Sequence, residues 1–202
     1  MEVAFVRIPK TASRAIKATG LFLCEGHEPI GLVKEKYNFD KSFAVCRNPY
    51  ARVVSAYHQG IDYFIRQKTP FFTEYADYKT FTSFVIDENN PFLYGTVRGR
   101  EQKKNVKHPH YNSQSHYIAE DGKVAVDELL YYELFPEQFD MFLFKVDKPH
   151  VDLEMVNVSH HAPWRHYYNV ELAEIIYKHY EEDFRLLDYH KESWRYDYGK
   201  SI

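Results

Sequence analysis

The chain has 202 residues, a length that suits one domain and can bury a substantial core. Its 26 Lys plus Arg stand against 29 Asp plus Glu, so a formal charge of −3 excludes a general nucleic-acid coat and makes any anion site a local feature. Two cysteines, Cys24 and Cys46, are too few for a disulfide scaffold and read as free thiols of a reducing, cytoplasmic setting, in keeping with the lack of a basic-apolar leader or an apolar stretch of about 20 residues.

The first apolar run, "VAFVRI" at 3–8, is short and β-prone, and "SRAIKATGLFLCEG" after it predicts a helix with Ile16 and Leu23 apolar and Gly26 closing it. The order then repeats. "SFAVC" at 42–46 is a second buried-strand candidate, and "RNPYARVVSAYHQGIDYFIRQ" puts Pro49 at a helix start with Val53, Tyr57, Ile61 and Ile65 on one face. Two strand-loop-helix units in succession predict a parallel sheet flanked by helices. From about 66 to 122 the chain turns polar and irregular, broken by one short helix, "TFTSFVID", and a substrate-facing insertion is expected there. "KVAVDELLYY" at 123–132 reads as strand, and "FPEQFDMFLFKV" after it as helix. Asn169 is placed to cap a single final helix, "VELAEIIYKHYEEDFRLL", whose Leu172, Ile176, Tyr180, Phe184 and Leu187 follow helical spacing. The 18 Tyr and 15 Phe suit a cleft, although packing accounts for most of them.

The chemistry concentrates at the two strand-to-helix junctions. Such a loop presents unpaired N–H groups and the positive end of a helix dipole, so phosphate-like groups bind there readily. In "RIPKTAS" Lys10 adds a full charge, and Thr11 and Ser13 add hydroxyl donors. G-x-x-x-x-G-K-[ST] is absent and no glycine precedes Gly20, which excludes a standard Walker loop. In "CRNPYARVVSAY" Arg47 leaves the second strand and Ser55 follows about two helical turns later. Arg47, Arg52 and Ser55 could gather around a second phosphate, while the plainer reading makes Arg52 a solvated surface charge.

"IPKTAS" and "RNPYARVVSAY" together resemble the two cofactor signatures of the sulfotransferases that use 3′-phosphoadenosine 5′-phosphosulfate (PAPS), in particular the carbohydrate O-sulfotransferases with heparan 2-O-type signatures. "YNSQSHYI", "VDELLYYELF", "VNVSHH" and "YYNVELAEIIYKHYEEDFRLLDY" resemble later blocks of that family in the same order. The resemblance implies a single α/β domain with a central parallel sheet and a P-loop-like fold. It implies that Lys10, Thr11, Ala12, Ser13 and Arg14 hold the 5′-phosphosulfate, that Arg47 and Ser55 hold the 3′-phosphate, and that Lys10 meets the leaving oxygen. One departure stands out: Ala12 occupies a place where many members have glycine.

The same resemblance implies transfer of a sulfuryl group to a hydroxyl, on a saccharide, with adenosine 3′,5′-bisphosphate (PAP) released and no metal required. His27 in "CEGHEP" is the expected general base, with Glu25 and Glu28 as rivals. His108, His110, His160 and His161 are not assigned as ligands, and the basic stretch "REQKKNVKH" is either a solvated loop or a lip for an anionic acceptor. "SHHAPWRHYY" is either a turn before the last helix or a lid near the nucleotide containing Ser159, Trp164 and Arg165. A divergent nucleotide kinase and a nucleotide-binding module without turnover remain as alternatives.

Overall fold

A computed structural model of the chain describes residues 1–67, 77–95, 97–98, 105–106, 108–153 and 161–196. Most of the basic stretch at 100–108, together with Ser159, His160 and the side chain of Ile65, lies outside them. In chain order the elements are β1 (Val3–Val6), α1 (Ser13–Ala18), α2 (Ile30–Lys36), β2 (Lys41–Cys46), α3 (Pro49–Gln67) and α4 (Phe81–Ile86). The two-residue strands β3 (Val97–Arg98) and β4 (Asn105–Val106) come next, followed by α5 (Ser115–Ile118), β5 (Ala119–Glu120), β6 (Lys123–Val124) and β7 (Glu128–Tyr131). The last helices are α6 (Glu137–Lys145), α7 (Val170–His179) and α8 (Glu181–Leu186). The fold is mixed α/β with a small parallel sheet, and among the described residues no helix is long and apolar enough to cross a membrane.

The chain forms two compact units, each assembled from two separate stretches: residues 1–48 with 113–158, and residues 49–112 with 159–202. The first unit holds the sheet, in the order β1-β2-β7, all parallel. Its strands are short apolar runs because helices and loops leave neither face to water. All four residues of β1 and five of the six in β2 are buried. On one face Phe43 stacks on Phe5 with ring centroids 4.7 Å apart, meets Phe142 of α6 at 4.4 Å and Phe22 at 4.8 Å. Ile16, Phe139 and Leu143 complete this core. Asp127 pins the start of the third strand to the second: its Oδ2 accepts from the Ser42 N–H and hydroxyl, both at 2.7 Å, and these bonds hold its carboxyl below the usual range.

The expected first helix is cut short. α1 ends at Ala18, and Gly20 at φ +68° turns the chain back, a backbone shape that glycine adopts without a Cβ penalty. Leu23 is therefore not a helical residue but a strand partner. Its N–H donates to the Val3 carbonyl and its carbonyl accepts from the Phe5 N–H, both at 2.9 Å, which covers the outer edge of β1.

The second unit is built on α3. Tyr50, Val53, Val54 and Tyr57 bury one side of it, against Phe81 and Phe84 of α4 and Leu172, Ile176 and Phe184 of the last two helices. The tyrosines bury their rings and satisfy their hydroxyls on backbone carbonyls: Tyr50 donates to Lys191 at 2.8 Å, Tyr168 to Tyr50 at 2.9 Å and Tyr180 to Tyr111 at 2.8 Å. Thr80 caps α4, and Asn169 caps α7 by accepting from the Leu172 N–H at 2.9 Å, as the sequence indicates. The final helical stretch is two helices rather than one, broken at Tyr180, where φ −117° and ψ 24° leave the helical range.

Phe43 is fully buried and packs among four other rings, so truncating it leaves a cavity that the sheet cannot close. Phe43→Ala is expected to lower stability by about 3 to 5 kcal/mol, read as a fall in the urea midpoint with little change in slope.

Candidate functional site

β1 and β2 pair with Val6 opposite Ala44, and β2 and β7 pair with Cys46 opposite Tyr131. Neighbouring strands lie about 4.8 Å apart, so chains leaving level strands begin side by side. Arg47 follows Cys46 just as Tyr132 follows Tyr131, and its guanidinium carbon lies 4.4 Å from the centre of the Tyr132 ring. Arg47 Nη1 then donates to the carbonyl of Lys10 at 3.3 Å. The two loops singled out in the sequence therefore meet within the first unit.

Two features shape the first loop. Ile8 is fully buried and anchors it to the core, and Thr11, also fully buried, donates its hydroxyl to the Ile8 carbonyl at 2.9 Å. The Thr11 hydroxyl hydrogen is thus committed inside the loop, where it acts as a brace. Lys10 at φ 74° and Ala12 at φ 59° are both left-handed, which costs about 1 to 2 kcal/mol at each non-glycine residue. Backbone strain of this kind gathers at ligand sites. Ala12 has no side chain able to cap α1, Ser13 is buried at the helix start, and Arg14 is exposed beside it.

The second loop is braced by two residues to which the sequence reading gave no role. Gln114, fully buried, accepts from the Arg47 N–H at 2.9 Å through Oε1 and donates from Nε2 to the Arg47 carbonyl at 2.7 Å, while Glu133 accepts from the Asn48 N–H at 2.7 Å. Both backbone groups of Arg47 are thereby satisfied, and its course is fixed. Gln114 falls within the stretch read as irregular insertion, in the block "YNSQSHYI" quoted for its family resemblance, where no role was given to it.

His27 lies at the same end of the sheet, half-buried. Its Nδ1 donates to the carbonyl of Arg7, the residue just beyond β1, at 2.8 Å, which leaves the lone pair of the neutral ring on Nε2. Burial, together with the positive charges of Arg7, Arg14 and Lys17, pushes its pKa below the ordinary 6.5 and outweighs the bond to Arg7. The Glu25 carbonyl accepts from Lys17 Nζ at 3.0 Å and from Arg7 Nη1, which moors the turn before His27. The rival carboxylates are occupied: Lys36 bonds Glu28 and lies 3.5 Å from Glu25. Cys24 and Cys46 are free thiols, and burial pushes the Cys24 thiol up, away from the thiolate form.

Arg52 corrects the surface reading. It is fully buried in the second unit, where Nη1 donates to the His110 carbonyl at 3.1 Å and Nη2 to the Asn112 carbonyl at 2.6 Å, 5.4 Å from the Tyr180 ring centre. A buried cation requires such partners, and its role is structural. Ser55 belongs to that second unit too, buried on α3. In the same unit Arg165 stacks on Trp164 at 4.3 Å within a single 3₁₀ turn ahead of α7. Among the described residues no group of three His, Cys, Asp or Glu side chains could hold a metal ion.

The first loop carries Lys10, Ser13 and Arg14, the second carries Arg47, and His27 bonds to the residue that follows β1. The cations and the hydroxyl of the two loops suit phosphate-like oxygens, which accept from all of these groups. No protein-family model, curated protein or solved structure matches the chain.

Two outcomes check this geometry. In a nitrogen-detected NMR titration His27 should carry its proton on Nδ1 when neutral and titrate below 6.5, so the folded state loses the stability tied to the neutral ring as pH falls from 6.5 through that lower midpoint. Ala12→Gly should relieve left-handed strain and stabilise the protein by about 1 kcal/mol in denaturant unfolding, whereas Ala12→Val should destabilise it.

Proposed function

We propose that this chain is a sulfotransferase that moves a sulfuryl group from PAPS to a hydroxyl on a saccharide and releases PAP, on a P-loop-like sulfotransferase fold. The observation that carries this reading is the Arg47 bond to the Lys10 carbonyl, which joins the two strand-exit loops at the carboxyl end of a parallel sheet, where open α/β sheets commonly bind ligands. Two left-handed residues within three curl the first loop, and alternating backbone of that kind lets successive N–H groups converge on an anion.

In this reading Ser13, Arg14 and the N–H groups of the first loop hold the 5′ end of the nucleotide, with Lys10 at the oxygen that leaves. Arg47, kept in place by Gln114 and Tyr132, takes the 3′-phosphate. PAPS supplies the activated sulfuryl group, and the protein supplies orientation and compensation for growing negative charge. His27 holds the remaining role. Its Nε2 receives the acceptor hydroxyl proton, and its lowered pKa keeps the ring neutral near pH 7, while the Arg7 carbonyl hydrogen-bonded to Nδ1 orients it. The saccharide class rests on the family resemblance and not on the geometry.

Thermal-shift titration with PAP and with ATP tests the proposal. PAP should raise the melting temperature more than ATP, and Arg47→Ala should weaken PAP binding about 10- to 100-fold through loss of charge-assisted bonds. His27→Ala should keep the PAP shift and lose about 100- to 10,000-fold in sulfuryl transfer, a reaction that EDTA leaves untouched. A larger shift with ATP would point to a nucleotide kinase, and PAP binding without turnover on any acceptor to a binding module.

A further inference from the structure

We propose that the turn at 161–167 is an acid-released latch, held against α3 by the stacked imidazoles of His58 and His161. Both rings belong to the second unit, and His161 comes from the stretch "SHHAPWRHYY". Their centroids lie 4.5 Å apart with planes 15° from parallel. Tyr167, at the far end of the same turn, sets its ring edge-on to His58 at 5.0 Å and to His161 at 6.0 Å. One imidazole of α3 therefore grips both ends of the turn. The His161 ring is fixed in its own right, because its Nδ1 donates to the Ala162 carbonyl at 2.6 Å. Beyond the turn Tyr168 is anchored separately, buried with its hydroxyl on the Tyr50 carbonyl at 2.9 Å, and provides the fixed end about which 161–167 swings.

The stack tolerates neutral rings and resists a proton. Nε2 of His58 is buried and has no hydrogen-bond partner among the described residues. A neutral imidazole can leave one nitrogen bare, whereas an imidazolium carries N–H on both, so protonating His58 in the closed turn buries an unpaired donor and sets a positive charge against the face of a second imidazole. The titratable groups around it are Tyr57 and Asp62 on α3 and His161 and Tyr167 on the turn; α4 packs on the two tyrosines through Phe81 and has no ionisable side chain. Asp62 favours the charged ring, but burial and then His161 outweigh it and pull the His58 pKa down to about 4. A histidine whose pKa is lowered in the closed state stabilises that state fully above the ordinary 6.5 and loses the contribution as pH falls from 6.5 through about 4. Release takes up one proton, so the open fraction grows by at most about tenfold per pH unit across that window, and water on the open side of the ring keeps it below that ceiling. Release also uncovers Phe81, whose ring Tyr167 covers at 5.5 Å. The inference is independent of the proposed chemistry, because the latch uses no residue of the strand-exit loops.

Hydrogen exchange of the whole chain between pH 7 and pH 5, read by mass spectrometry and corrected for its intrinsic pH dependence, tests it. Peptides covering 161–168 should lose about 5- to 30-fold in protection over that range while those covering α7 keep theirs. His58→Phe leaves a flat ring in the stack that cannot take a proton, so the turn should stay protected and its protection should no longer depend on pH. The wild type provides a check that needs no variant: in an NMR titration the His58 ring should reach its midpoint well below 6.5. Unchanged protection of 161–168 at pH 5, a pH dependence that survives in His58→Phe, or a His58 midpoint at the ordinary 6.5 overturns the proposal.

Discussion

The site depends on one constraint: three parallel strands in register, with β2 and β7 ending level and β1 ending two residues earlier. With Val6 opposite Ala44 and Cys46 opposite Tyr131, the chain leaves the sheet at neighbouring points, and Arg47 reaches the Lys10 carbonyl on one side and the Tyr132 ring on the other. A slip of one residue would exchange the faces of β2 and turn Phe43 out of its ring cluster, so the aromatic core enforces the register that the loops require. Packing and site geometry are thus one interaction seen from two ends.

Strain is placed where that packing can hold it. Lys10 and Ala12 lie between a fully buried Ile8 and a buried Ser13, with Thr11 bonded back to the Ile8 carbonyl, so the left-handed backbone is clamped from both sides. The cost of about 1 to 2 kcal/mol at each residue is small beside the aromatic burial beneath it. Glycine would relax the loop, and Ala12 keeps it more restricted. His27 is held in the same manner, by a backbone carbonyl of the strand exit and not by a carboxylate, which leaves it neutral among three cations.

The second unit solves a different problem with the same residue types. Its tyrosines put large rings into a helical core and end their hydroxyls on loop carbonyls, and Arg52 does likewise with its guanidinium. Buried polar atoms there tie loops to helices, which is why an arginine that looks like a surface charge by spacing is fully interior.

The positions of β1, β2, α3, α4, α6 and α7 were legible in the chain, because burial on both faces forces short apolar runs and burial on one face forces a period of 3.6 residues, and the Asn169 cap follows from side-chain chemistry that acts over three residues; α2 was not foreseen, and the run at 123–132 read as one strand is two, β6 and β7, in different sheets. Lys10, Arg47 and His27 could be picked out for the same reason, as charged or titratable groups at junctions. What the sequence could not reveal is everything set by register and long-range contact. Leu23 is a strand partner because Gly20 reverses the chain, Gln114 braces Arg47 from 67 residues away, and Tyr132 lies under the guanidinium only because β7 ends level with β2. Local sequence encodes which backbone shapes are cheap, whereas partners distant along the chain are chosen by the packing of the whole core, and only the tertiary structure decides them.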